Sequence, residues 1–223
     1  MKTGRKRFFI LDGYALLYRA HFALIRNPLI TSYGLNTSAL FGFINQLLKI
    51  IKDEDPEYFA CAFDSKGKTF RHDMYEEYKA NRPPMPEELQ LQLPHLWEIL
   101  ESMNIPVLKK KGVEADDIIG TLAVNAQEKG LDTYIVSGDK DFMQLINDNI
   151  YLYAPGTKKN PNPIIYDSEK VQDKWGVPPD KIIDLLGLMG DSSDNVPGVP
   201  GVGEKTAVKL IKEYGSLKGA LEN

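Results

Sequence analysis

Residues 112–120, GVEADDIIG, decide how the rest of this chain reads. They put Glu114, Asp116 and Asp117 at the start of a helix, and Ile118, Ile119, Leu122, Ala123 and Ala126 continue an apolar helical spacing as far as Gly130. Acids in a first turn complement the helix dipole by about 0.3–1 kcal/mol each and by themselves need no further role. The positions of other acids change that reading. Asp12, Asp64, Asp139 and Asp141 stand where loops leave expected strands, and Asp191 and Asp194 form a further group. Nine carboxylates gathered in one place repel one another unless cations offset them. The pattern therefore points to a metal site.

Working outward, residues 7–11 are short, apolar and β-like, and end at the turn Asp12-Gly13. Residues 14–25 have helical spacing and carry Arg19 and His21. Asn36, Thr37 or Ser38 can cap the next helix, which ends near Asp53. A second strand, 58–63, again ends at an aspartate. Residues 86–103 read as one helix with Pro94 as an interior irregularity, 105–108 as a third strand and 133–136 as a fourth, closed by Ser137-Gly138-Asp139 and a short helix. Strand and helix in alternation predict an α/β fold with a mostly parallel central sheet flanked by helices. Ligands of such sheets collect at the carboxyl ends of strands, where Asp12, Asp64, Asp139 and Asp141 fall.

Residues 65–86, SKGKTFRHDMYEEYKANRPPMP, make a long internal connection with three prolines. Connections of this length are usually functional or disordered. Lys66, Lys68, Arg71, Lys79 and Arg82 outweigh Asp73, Glu76 and Glu77, and Phe70, Tyr75 and Tyr78 are rings on which bases can stack; a solvated lid without a ligand is the plainer alternative. After Asp148 the texture changes. Two small strands are expected within 151–166, then helices near 168–175, 179–189 and 204–214. The last two flank the glycine- and proline-rich hairpin of DSSDNVPGVPGVGEKTAVKLIKEYGS. Backbone N–H groups of Gly198, Gly201 and Gly203 beside a helix start would make an anion pocket suited to a phosphodiester. A P-loop is excluded because Glu204 separates Gly203 from Lys205 and no strand leads in. Asp12-Gly13-Tyr14 lacks the second Asp of an aspartyl-phosphate phosphatase, and no GxGxxG follows the first strand.

At 223 residues and 43% hydrophobic, the chain can form one large domain or one with a small appendage. No apolar run approaches the ~20 residues that span a bilayer, and the start lacks a signal-peptide pattern. One cysteine, Cys61, excludes an internal disulfide and reads as a buried thiol, so the cytoplasm is the expected compartment. The net charge of −4 does not exclude nucleic acid, because setting aside the nine candidate acids leaves +5. Hard oxygen ligands without a Cys/His set favour Mg²⁺ or Mn²⁺ over Zn²⁺; His21, His72 and His95 read as packing or surface residues.

FDSKGKTFRHDMYEEYKANRPPMP, GVEADDIIGTLA, SGDKDFMQL and LMGDSSDNVPGVPGVGEKTA occur in this order. On these motifs the chain, from Phe8 to its end, resembles the 5′-nuclease domains of bacterial DNA polymerase I within the flap endonuclease superfamily. The resemblance implies a PIN-like nuclease core over 1–177, with 65–86 as a helical arch, and a helix-hairpin-helix DNA-binding region over 178–223 that continues past Asn223. It implies a first metal cluster of Asp12, Asp64, Glu114 and Asp116 joined by Asp117, and a second of Asp139, Asp141, Asp191 and Asp194, together holding two or more ions. Lys79 and Arg82 would face the phosphate from the base of the arch. Arg19 and Arg71 would steer the 5′ end, and Tyr14 and Tyr78 would stack beside the cut. The hairpin, with Gly198, Gly201, Gly203, Lys205 and Thr206, would grip duplex DNA, with K⁺ as a bridging ion. The implied activity is metal-dependent 5′–3′ exonuclease and 5′-flap endonuclease action on flapped, nicked or branched DNA, leaving 5′-phosphates, in primer removal, replication and repair. A monomer working at the nucleoid, with a polymerase region in the same natural polypeptide, completes the expectation. Three rivals stand beside it: a relative lacking the second cluster, a non-catalytic structure-selective DNA-binding module, and a nucleotide phosphatase.

Overall fold

The computed structural model describes residues 4–223; the first three residues of the expected 1–177 core lie outside it. The sheet is built around β1 (Arg7–Asp12), RFFILD, whose inner residues are apolar on both faces, as a strand covered on both sides requires. β2 (Tyr58–Ala62) and β4 (Asp132–Val136) pair with it in parallel, one on each side. β3 (Val107–Leu108) extends the sheet beyond β2, and β5 (Ile150–Ala154) beyond β4, both in parallel. β6 (Ile164–Tyr166) closes the far edge antiparallel, giving the order β3-β2-β1-β4-β5-β6. The expected mostly parallel α/β architecture is thus the one observed.

Alternation along β1 feeds two cores. Phe9 and Leu11 point to one face, with α1 (Gly13–Leu24), α2 (Ser38–Glu54) and α5 (Leu93–Ser102), where Phe43, Leu47, Phe63 and Leu96 are buried. Ile10 points to the other, into a cluster that also holds Ile119 and Ala123 of α6 (Ala115–Glu128), Leu185 of α8 (Ile182–Met189), and Ile211 of α9 (Glu204–Tyr214). Fully burying one such side chain contributes about 1.5–3 kcal/mol. Ile182, Leu185, Leu188, Ala207 and Ile211 of the 178–223 region belong to this second core.

The expected helix over 86–103 is instead two: α4 (Glu87–Gln90) and α5. Pro94 cannot donate to a carbonyl one turn back and crowds it, so the first helix stops and Pro94 falls in the opening turn of the second. Buried Gln92 fills the break, its Nε2 donating to Glu88 O (2.8 Å) and its Oε1 accepting from Leu40 N (3.0 Å). The third strand is shorter than expected, and Pro106 contributes only its carbonyl, to Cys61 N at 2.9 Å. The long connection holds a short helix, α3 (Phe70–Met74), opened by a Thr69–His72 capping box. α7 (Ser168–Trp175) matches its expected span. A 3₁₀ turn, Pro179–Lys181, replaces the start of the expected 179–189 helix. β7 (Gly190–Asp191) and β8 (Val196–Pro197) form the two-stranded base of the hairpin, and α10 (Leu217–Leu221) follows α9 without having been foreseen. Among the described residues no helix is long and apolar enough to cross a membrane.

Candidate active site

The chain switches direction at β1: β2 and β3 build outward on one side, and α6 then carries the chain across to β4 on the other. Crevices at such switch points are where open α/β sheets bind ligands. Asp12 closes β1 and caps α1, its Oδ1 accepting from Ala15 N (3.2 Å), while its Oδ2 accepts from Ser137 Oγ (2.8 Å) at the end of β4. That bond spans the switch point. Burial, with smaller contributions from Asp139 and Asp64, pushes the Asp12 carboxyl up to about 6. Asp64, two residues past β2, accepts from Ala115 N at 2.7 Å and so ties its loop to the start of α6.

Asp116 lies deepest in the repulsion: burial first, then Asp12, Asp139 and Asp64, raise it to about 8, with Lys79 only partly offsetting them. Asp139 caps the 3₁₀ helix Lys140–Leu145 by accepting from Asp141 N (2.9 Å). Asp141 is raised to about 6 by burial and then by Asp139, Asp191 and Asp194, and its Oδ1 is buried without a partner. Burial also works against Asp191, yet Ser193 N (2.9 Å), Ser193 Oγ (2.6 Å) and Lys140 Nζ (3.4 Å) hold it below the usual carboxylate range.

Glu114 is the N-cap of α6 and shares a capping box with Asp117, whose Oδ2 accepts from Glu114 N at 2.9 Å. Both therefore have a structural reason to be acidic besides any ligand role. The 65–86 segment closes over them. Arg71 grips Asp117 with two bonds of 2.8 Å and depresses its pKa, and Glu114 lies 3.7 Å away. Lys79 Nζ donates to Glu114 Oε1 (2.9 Å) and its backbone N to Asp194 O (2.9 Å). Tyr78 OH stands 2.9 Å from Glu114 and 2.8 Å from Asp194, and Arg82 bonds Asp194 Oδ1 at 2.5 Å and Ser193 O at 3.1 Å. A cavity of about 300 Å³ opens between this cover and the acids, lined by Arg71, Tyr78, Glu114, Asp116, Asp141 and Asp194.

Hydrogen bonds and electrostatic repulsion thus join all nine acids in one network. Among the described residues, no three carboxylates, imidazoles or thiolates close on one point as a finished ligand set would; several acids turn to protein donors instead. The chemistry of the donor set nevertheless fits a hard cation. Asp12, Asp116 and Asp141 are poorly solvated, each raised first by burial and then by neighbouring acids among which Asp139 is common to all three, and the Asp141 Oδ1 has nothing to accept from.

Other expected residues stand differently. Arg19 is turned away from the acids, its Nη2 on Pro155 O (3.0 Å) and on Gly156 O, where it holds the β5–β6 loop; in this state it is a brace and does not reach towards a 5′ end. Tyr78 is 7% exposed, so its ring is a strut under the cover and offers no stacking face. Tyr14 packs edge-on to Phe63 at 5.2 Å and lies close enough to Asp64 to feel its charge. At the hairpin, a Cβ on Gly198 would come within 2.3 Å of Met189 C and 2.5 Å of Gly190 N, so this glycine allows two backbones to touch. Gly201 has φ +80 in open space, Gly203 caps α9, and Lys205 and Thr206 are exposed in its first turn. His21 is buried, His72 serves the capping box and His95 faces Glu98. Sequence reasoning missed Ser137, Lys140 and Ser193, which orient or offset site acids. Their signal was adjacency, each lying within two residues of a candidate aspartate.

A switch-point crevice lined with carboxylates and roofed by lysine and arginine defines an α/β protein whose candidate site lies at the carboxyl ends of its parallel strands. The profile of the family described as "5′-3′ exonuclease, N-terminal resolvase-like domain" matches residues 7–176, and "5′-3′ exonuclease, C-terminal SAM fold" matches 177–223. A 5′-3′ exonuclease of Aquifex aeolicus is 44% identical over 98% of this chain and 73% of its own length. DNA polymerase I of Caldicellulosiruptor bescii is 45% identical over 97% of the chain, which spans 25% of that relative. Among solved structures, a bacteriophage T5 flap endonuclease in a pseudo-enzyme–product complex with DNA and metal ions superposes with TM-score 0.75 at 20% identity, covering 98% of this chain and 79% of that one. The catalytic core of Rad2 with a DNA substrate superposes with TM-score 0.64 at 21% identity, covering 98% and 64%. The chain belongs to the 5′-3′ exonuclease family, a family of nucleases.

Proposed function

We propose that this chain is a structure-selective, metal-dependent 5′ nuclease that hydrolyses DNA phosphodiesters at 5′ flaps, nicks and branched junctions and leaves 5′-phosphates. The observation that carries this reading is the only partly neutralised acid cluster at the switch point, with Asp116 raised to about 8 and Asp141 Oδ1 unpartnered, beneath a roof of lysine and arginine side chains. Asp12, Asp64, Glu114 and Asp116, with Asp117 behind them, and Asp139, Asp141, Asp191 and Asp194 are the residues that would hold two or more Mg²⁺ or Mn²⁺ ions. Such ions supply Lewis acidity, polarising a phosphate and lowering the pKa of water.

The chain's own groups do the rest. Lys79 and Arg82 are held at the site by Glu114 and Asp194, and from there their N–H groups would donate to the phosphate as its charge grows. Arg71 holds Asp117 and stands ready for a second phosphate contact. Gly201, Gly203, Lys205 and Thr206 present backbone N–H groups and charge to a duplex backbone without reading bases, with K⁺ as the bridging ion. The protein acts as a monomer and, by its kinship with DNA polymerase I, works with a polymerase in replication and repair.

The test is cleavage of a labelled 5′-flap substrate with and without Mg²⁺. Asp116→Asn is expected to abolish cleavage while flap binding stays measurable. Turnover at the wild-type rate would remove Asp116 from the mechanism. Flap binding by the unaltered chain with no cleavage in Mg²⁺ or Mn²⁺ would make it a binding module.

A further inference from the structure

The end of the sheet opposite the acids carries an open edge. β3 pairs with β2 only at Cys61 and Ala62, so Tyr58–Ala60 have β1 on one side and, among the described residues, no strand on the other. Two residues cause this. Cys61 N donates to Pro106 O and Phe63 N to Leu108 O, both at 2.9 Å. One step earlier the same parallel ladder would need an N–H from residue 106 to meet the Phe59 carbonyl, and a proline has none. Asn104, at φ +54, donates its N–H to Glu101 O (2.8 Å), so the chain enters β3 from α5 instead of running beside Tyr58–Ala60. Pro106 and the exposed Lys109, Lys110 and Lys111 protect the outer edge of β3 against pairing; the uncovered part of β2 has no charge or proline of its own.

Two clefts flank this edge, one on each face of the sheet, and Pro106 lines both. On the α6 side a cleft of about 730 Å³ runs between the strand starts, at Phe8 and Tyr58, and the stripe Leu122, Asn125 and Lys129, spaced i, i+3 and i+7. On the α5 side a cleft of about 510 Å³ is lined by Glu101, Val107 and Lys109. Successive side chains of an extended strand point to opposite faces. A strand laid along Tyr58–Ala60 would therefore send alternate side chains into the two clefts. Charge narrows the choice of strand. Lys6 and Lys129 stand at the α6-side cleft with no acid in its lining, and among the described residues neither is ion-paired. A nucleic-acid strand has no row of N–H and C=O groups to match a strand edge, whereas an extended polypeptide has.

We infer that the open edge of β2 at Tyr58–Ala60 docks an extended segment of a partner protein by strand addition, a segment with apolar side chains at every second position and acidic residues that reach Lys6 and Lys129. This goes beyond the nuclease reading and does not depend on it, since the edge lies at the strand starts and the acids at the carboxyl ends. The test pans a random library of peptides of about 10 residues, enough for one strand, on the unaltered chain. Selected peptides are expected to alternate apolar and polar residues and to carry Asp or Glu, and when bound to slow amide hydrogen exchange over Tyr58–Ala60. Their affinity, read by fluorescence anisotropy, is expected to fall about tenfold or more in Asn125→Trp, which fills the α6-side cleft from an exposed position, and in Lys6→Glu with Lys129→Glu, which inverts its charge. Failure to select any peptide, binding that survives both variants, or slowed exchange confined to other segments overturns the inference. A dimer in analytical ultracentrifugation that Asn125→Trp dissolves would assign the edge to a second copy of this chain and overturn the partner reading. Failure of the nuclease reading shows separately, as an absence of cleavage by the unaltered protein in Mg²⁺.

Discussion

Lys79 is the residue where local strain and site chemistry meet. It has φ +55, a left-handed conformation that costs a lysine roughly 1–3 kcal/mol and survives only where surroundings enforce it. The enforcement is visible: its N–H is bonded to Asp194 O and its ammonium to Glu114, two residues far apart in sequence. On the proposed function, an ammonium so held would face a developing phosphate charge. Lys79→Ala is therefore expected to slow single-turnover cleavage by about 10²–10³-fold, the range for loss of one preorganised donor, while changing flap affinity far less. A defect confined to binding would contradict this role. Asp12, Asp64, Asp139 and the acids of 112–120 were legible as site candidates because they end strands or open a helix. Ser137 was not, because its importance lies in a bond across two strands to Asp12.

At the scale of elements, the turn chemistry was the more readable part. The helices at 168–175 and 204–214 end at Gly176 and Gly215, both left-handed caps, and their expected spans match. The break before α5 was harder, since a proline in an apolar periodic run can either kink a helix or start a new one. Buried Gln92 marks the second, its side chain bonding Glu88 O in the helix before the break and Leu40 N in the first turn of α2. The hairpin was recognised by its glycines, but their division of labour was not visible. Gly201 supplies a positive φ, whereas Gly198 supplies absence of volume between β8 and the end of α8. Gly198→Val is thus expected to distort the hairpin, with an overpacking cost of about 1–3 kcal/mol, and to weaken duplex binding while Mn²⁺ binding to the protein is retained. Duplex affinity equal to wild type would show that the hairpin does not carry that contact.

For the molecule as a whole, the acid cluster makes stability depend on pH and on cations. Asp12, Asp116 and Asp141 are raised in the folded state from 3.8 to about 6, 8 and 6. A raised carboxyl holds more protons folded than unfolded, so stability falls as pH rises through the window from about 4 to 8. Asp117 and Asp191 are depressed; their contribution is present above 3.8 and is lost only in stronger acid. Protein in EDTA is therefore expected to melt at higher temperature at pH 6 than at pH 8, and Mn²⁺ to raise the melting temperature more at pH 8. A metal-free melting temperature that climbs from pH 6 to pH 8 would refute the buried repulsion. By itself, the sequence determined the α/β class, most of the elements, the acids as a set and the glycine-rich hairpin, because these follow from periodicity, turn residues and motif spacing along the chain. Tertiary structure alone decided the sheet order, with β1 between β2 and β4, the inward burial of Tyr78, the turning of Arg19 onto the β5–β6 loop, and the seating of Lys79 and Arg82 on Asp194. Those are contacts between residues distant along the chain, or choices among chemically equivalent partners, and only the packing of helices on the sheet selects among them.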